Sequence, residues 1–262
     1  MHLTMSSAEK RAGRFRLPRS TLSSRAHLDI NVRKLWAWPA SGDDDGLTRA
    51  ESVLATLGGL LAEPRAAAAL RAHGDDRILD VFLELADVCG SFGRALLALK
   101  QSITELRAVV QRRHGDATAT VATALRARRR AEKEIRRLAA AIRRVSRDAT
   151  VLSDGDSKER CPRRDMTGIV ADVAAATAAA PEAIFRRCAA MSPDVSAVAQ
   201  SVPWLARLRV PPPPATNKVV SEMAAALESL EERIGEIKRG SEKVFRSLLR
   251  TRVSLLNIHS SF

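Results

Sequence analysis

The 262-residue chain has no tyrosine, and its six phenylalanines and three tryptophans make aromatic residues only 3% of the total. A core so poor in rings must be filled by aliphatic side chains, here mostly Ala and Leu, and that composition favours helices over sheets. Cysteine is equally scarce. Cys89, Cys161 and Cys188 are far apart and odd in number, which argues against a disulfide framework or a zinc site and points to a reducing compartment. Long apolar runs are missing as well. Residues 171–185 come nearest to the roughly 18 residues of a membrane span, but they carry Asp172 and Glu182 and are interrupted by Pro181, so no transmembrane helix is expected.

Catalytic signatures are also missing. The sequence contains no phosphate-binding glycine loop, no nucleophile elbow and no HExxH pair. His2, His27, His73, His114 and His259 are scattered, none at ligand spacing from Cys, Asp or Glu. Asp43, Asp44 and Asp45 lack the alternating ligands and distal Glu of a calcium loop and read as a solvated linker. The reading is therefore a non-enzyme without cofactor, metal or small-molecule substrate.

What is present is helical periodicity. Ile78, Phe82, Leu85, Cys89, Phe92, Leu96, Leu99, Ile103, Leu106 and Val110 follow alternating steps of four and three, the stripe of one long amphipathic helix or a coupled pair, with a kink expected at Gly90 and Gly93. His114-Gly115-Asp116 supplies a stop and a fresh N-cap. A second long helix carries Val121, Leu125, Ile135, Leu138, Ile142, Val145 and Leu152, and its end is expected in the loop-like SDGDSKERCPRR. Residues 165–209 are helix-compatible but interrupted at Pro181, Pro193 and Pro203, which predicts two or three shorter helices. The prolines at 211–214 form a spacer, after which Thr216 or Asn217 can cap a terminal helix. Its stripe runs Met223, Leu227, Leu230, Ile234, Ile237, Ser241, Val244, Leu248, Thr251, Leu255 and Ile258, so the apolar ending is the end of a packed seam rather than a membrane tail.

The expected fold is all-α, an elongated bundle of long antiparallel helices over residues 47–262. Residues 1–46 lack helical periodicity and read as a disordered basic arm and acidic linker. Within them, KLWAWP reads as a strand-like anchor laying one of Trp36 and Trp38 against the body, or as a partner-binding peptide. The Arg- and Ser-rich N-terminus is also compatible with an organelle transit peptide.

Charge is localised within a net +13. Residues 1–34 hold eight Lys or Arg against Glu9 and Asp29, a balance of +6, and residues 126–147 hold ten against Glu132 and Glu134, a balance of +8. The second block offers a candidate anion-binding face of Arg126, Arg128, Arg129, Arg130, Lys133, Arg136, Arg137, Arg143 and Arg144. A solvated helix face, an anionic membrane surface and a nucleic-acid backbone are the three readings of it, the last disfavoured because no aromatic residue accompanies the arginines. Arg16 and Arg19 precede Ser20, Ser23 and Ser24, a pattern suited to a basophilic kinase, whose phosphates would cancel part of the +6.

The ending RTRVSLLNIHSSF, the stretch ALKQSITELRAVVQRRHGD, the following ARRRAEKEIRRLAAAIRRV and the arm RLPRSTLSSRAHL together resemble the plant proteins related to BYPASS. The resemblance runs from Arg16 to Phe262, and its most specific block is Thr251, Arg252, Val253, Ser254, Leu255, Leu256 and Asn257, matching in order. The arm departs from the pattern, with Leu28-Asp29 after His27 where the group carries a proline. The resemblance implies a plant-specific, mainly helical, non-enzymatic protein linked to root and shoot development, with no catalytic residues. The expected setting is intracellular and cytoplasmic, with peripheral membrane attachment through the basic face and with unidentified protein partners. The nucleus and an organelle are alternative compartments. The rival class is a nucleic-acid-associated protein that uses residues 126–147 as a non-specific phosphate clamp.

Overall fold

In the computed structural model, residues 19–38, 45–73, 76–112, 117–155, 166–190 and 214–260 are described. They form α1 (Arg19–Ala37), α2 (Gly46–Leu61), α3 (Pro64–His73), α4 (Arg77–Arg112), α5 (Ala117–Gly155), α6 (Met166–Ala190) and α7 (Pro214–Ser260), with no strand among the described residues. The fold is an all-α packed bundle. At about 1.5 Å per residue, α5 spans roughly 58 Å and α7 roughly 70 Å.

The two long stripes do what their spacing demands. All ten periodic positions of α4 are buried, and every position of the α7 stripe is buried or packed against the core. The two helices pack together antiparallel and hold one register along most of their length. Steps of 14, 10 and 7 residues along α4 lead from Asp76 to Gly90, Lys100 and Arg107. Equal steps backwards along α7 lead from His259 to Phe245, Gly235 and Glu228, and each pair meets: His259 and Asp76 at 3.6 Å, the place of a Gly90 Cβ and Phe245 at 3.3 Å, that of Gly235 and Lys100 Nζ at 3.6 Å, Arg107 and Glu228 at 3.4 Å. Gly90 therefore does not break α4, which runs as one element through Gly90 and Gly93. It is the place where the Phe245 ring comes close.

Helix α6 lies inside, against α5, α2, α1 and α4. By length and composition, Met166–Ala189 could cross a bilayer, yet its apolar window is mostly buried within the protein. Its alanines let α5 approach closely enough for the Ser146 hydroxyl to donate to the Ala175 carbonyl at 3.3 Å, while Ser153 bonds Asp172 and Arg143 pairs with Glu182. Phe185 stacks on Phe92 of α4 with ring centroids 3.6 Å apart. The expected break at Pro181 does not occur. A proline inside a helix costs about 3 kcal/mol, but Ala174, Ala178, Ile184 and Phe185 are buried on either side of it, and that packing outweighs the local cost.

The reading of residues 1–46 as disordered is corrected over residues 19–38. Helix α1 docks on α2 and α6 through Leu28, Val32, Leu35 and Trp38, and the tryptophan anchor is the end of a helix rather than a strand. Trp38 is 1% exposed, with Arg187 of α6 lying 5.1 Å from its ring centroid. Gly46 makes room for the indole: a Cβ there would lie 2.5 to 2.6 Å from three ring atoms. A ring this enclosed cannot move aside, so Gly46→Ala is expected to cost about 1–3 kcal/mol. That lowers the melting temperature by roughly 2–4 °C per kcal/mol, which a thermal melt followed by circular dichroism measures.

The terminal helix starts at Pro214, whose missing N–H suits a first helical position, rather than at Thr216 or Asn217. The sequence readings at residues 1–18, Asp43, Asp44, residues 113–116, Cys161, residues 156–165 and residues 191–213 lie outside the described residues.

Candidate anion-binding face

Helix α5 packs on α4 and α6 through one side only. Val121, Ala124, Ala131, Ile135, Leu138, Ala139, Ile142, Val145 and Ala149 are buried there. At 100° per residue, Arg126, Arg129, Arg130, Lys133, Arg136, Arg137, Arg143, Arg144 and Arg147 all fall on the opposite arc, and all are exposed. The result is a cationic stripe about 32 Å long on a rigid helix.

The partners along this stripe are few. Glu134 receives both the Nε and an Nη of Arg137, at 3.0 and 2.7 Å, and the guanidinium holds its carboxyl below the usual carboxylate range. Arg143 reaches Glu182 of α6 at 2.7 Å, where Arg186 also approaches at 3.6 Å. Arg126 donates to the Thr123 hydroxyl at 3.3 Å, and Arg136 lies 4.0 Å from Glu132. Among the described residues, Arg129, Arg130, Lys133, Arg144 and Arg147 have no carboxylate within ion-pair distance.

Arg128 does not belong to this face. It is 2% exposed and donates its Nε to Glu132, itself 5% exposed, at 2.6 Å. The reason was present in the spacing: 121, 124, 128, 132, 135, 139 and 142 step by three and four, so both residues lie in the buried phase of the helix. The two members of the pair neutralise one another there, and neither adds to the outward charge. Arg147 and Arg186, absent from the candidate set, do add to it.

The other sequence candidates are separated from the stripe. On α1, Ser23 is exposed and Ser24 is partly buried, while the side chain of Ser20 lies outside the described residues. In the C-terminal block, Thr251 and Leu255 are buried, Arg252, Ser254 and Leu256 are partly buried, and Val253 and Asn257 are exposed. Thr251 donates its hydroxyl to the Ser247 carbonyl at 2.9 Å, so its polar atom is satisfied inside the seam. Cys89 and Cys188 are buried and neither is in a disulfide, and burial pushes the Cys89 thiol up to about 12. Among the described residues, no group of three or more His, Cys, Asp or Glu is placed to hold a metal ion.

A family model described as Protein BPS1 matches residues 46–209 and 212–258. The chain belongs to the BPS1 family. Membership bears out the resemblance to the BYPASS group and makes this a plant-specific protein of a family not known as enzymatic. The match begins at the first residue of α2, so α5 and the C-terminal block lie inside it and α1 lies outside. No curated protein and no solved structure matches the chain.

Proposed function

We propose that this BPS1-family protein is a non-catalytic helical scaffold that attaches peripherally to an anionic membrane surface through the outer face of α5 and presents the rest of the bundle to protein partners. Root and shoot development is the setting that the BYPASS resemblance implies. The observation that carries the membrane reading is the exposed stripe from Arg126 to Arg147. Its central cations, Arg129, Arg130, Lys133 and Arg144, have no carboxylate partner among the described residues, and the helix beneath is fixed against α4 and α6. Each such residue near acidic headgroups contributes on the order of 1 kcal/mol. A phosphate backbone would supply the same attraction, but α5 carries no aromatic residue on which bases could stack. Phosphates on Ser20, Ser23 or Ser24 would lower the positive charge of the N-terminal segment.

Replacing Arg129, Arg130, Lys133 and Arg144 with Gln tests this reading. All four are exposed, so helicity should be unchanged and stability should stay within about 0.5 kcal/mol of the parent. Binding to phosphatidylserine-containing vesicles should weaken by about 1 kcal/mol for each residue that faces the bilayer. Unaltered vesicle binding in the fourfold variant would remove the membrane reading.

A further inference from the structure

Helix α1 has two faces. Leu28, Val32, Leu35 and Trp38 fix one to the body, and the other displays Ile30, 48% exposed, and Trp36, 44% exposed, with the exposed Arg33 and Lys34 between them. Ile30, Arg33 and Trp36 are three residues apart and form a row along the outer side. One large indole is therefore held in solvent only two residues from another that is buried. We infer that this outer face of α1 is a membrane-interface contact, in which Trp36 and Ile30 enter the headgroup boundary of an anionic bilayer while Arg33 and Lys34 bind its phosphates and carboxylates.

The occupant follows from charge and area. Asp29 is the one acidic residue of α1, and the chain reaches the helix through Lys10, Arg11, Arg14 and Arg16 against Glu9, so the surroundings attract an anionic surface. Two apolar side chains set among cations are too little for a stable protein–protein interface, which covers roughly 800 Å² on each partner. They do suit the headgroup level of a bilayer, where tryptophan is enriched and the stems of Arg and Lys lie along apolar surface with their charges in water. The inference shares the membrane partner of the reading above but rests on a different helix, one outside the segment that the family model matches.

The test uses full-length protein carrying Trp204→Phe, in which Trp36 and Trp38 remain, and vesicles of phosphatidylserine with phosphatidylcholine or with its brominated analogue. Bound protein should show blue-shifted emission quenched by the brominated lipid, and Trp36→Phe should abolish the quenching because Trp38 stays buried in the protein. Joint replacement Ile30→Ser and Trp36→Ser should leave the melting temperature unchanged and lower vesicle partitioning by about tenfold or more. Unquenched Trp36 on vesicles that the protein binds would overturn the inference while leaving the α5 reading intact. Quenching that persists in the fourfold α5 Gln variant with undiminished binding would overturn the α5 reading and support this one. Failure to bind the vesicles at all would overturn both.

Discussion

Truncation after Arg252 is expected to unfold the protein or prevent its accumulation, although only the last ten residues are removed. Leu255 is fully buried and Ile258 is 8% exposed, and the register of α4 against α7 places them beside the first turns of α4, where Ile78 and Phe82 are buried. Reducing a buried Leu or Ile to Ala costs about 2–5 kcal/mol, and truncation removes both side chains together with the backbone that holds them. The sum rivals the roughly 5–15 kcal/mol that stabilises a whole domain. At about 2–4 °C per kcal/mol, the melting temperature should fall by ten degrees or more if the variant folds at all. Were these residues a detachable docking peptide, their loss would abolish a partner contact and leave the melt where it was. Thermal melting of the purified truncation separates the two outcomes.

The second large effect concerns the buried pair on α5. Glu132→Ala leaves the Arg128 guanidinium enclosed between α5 and its neighbours without the carboxylate it donates to, and removing one partner of a buried ion pair costs about 3–5 kcal/mol. The cost arises from a buried charge that has lost its carboxylate, so replacing both residues with apolar ones of similar volume, Arg128→Met with Glu132→Leu, should recover most of the loss. Urea unfolding of the single and double variants measures this. A Glu132→Ala protein as stable as the parent would show that the carboxylate of Glu132 is not what holds Arg128 in the interior. An anion-binding test that includes Arg128 would confuse unfolding with lost binding.

The residues that were legible in the sequence share one property, an unbroken phase. Ten consecutive periodic apolar positions in α4 and a stripe that begins some thirty residues before SLLNI leave no other way to bury those side chains. Elsewhere, packing that only the tertiary structure supplies overrides a local feature. Pro181 is a helix breaker by itself, but inside α6 it is enclosed by buried neighbours. Leu28, Val32 and Leu35 make too short a stripe to stand out among polar residues, and they are buried because α1 packs on α2 and on α6, the latter distant in sequence. Counting the arginines as a block misplaces Arg128, whose phase is that of Ile135 and Ile142. The outward stripe itself was legible from composition, since eight of its nine candidate residues are exposed.

The central claim is that the outer face of α5 engages an anionic membrane in preference to a generic polyanion. Parallel titrations near physiological salt test it most directly, one against phosphatidylserine–phosphatidylcholine vesicles and one against a generic duplex DNA, each with the parent protein and the Arg129, Arg130, Lys133 and Arg144 Gln variant. The account predicts vesicle binding that weakens with salt and falls sharply in the variant, with duplex binding weaker than vesicle binding throughout. Tighter binding to the duplex than to the vesicles, lost in the same variant, would contradict it and assign the face to nucleic acid.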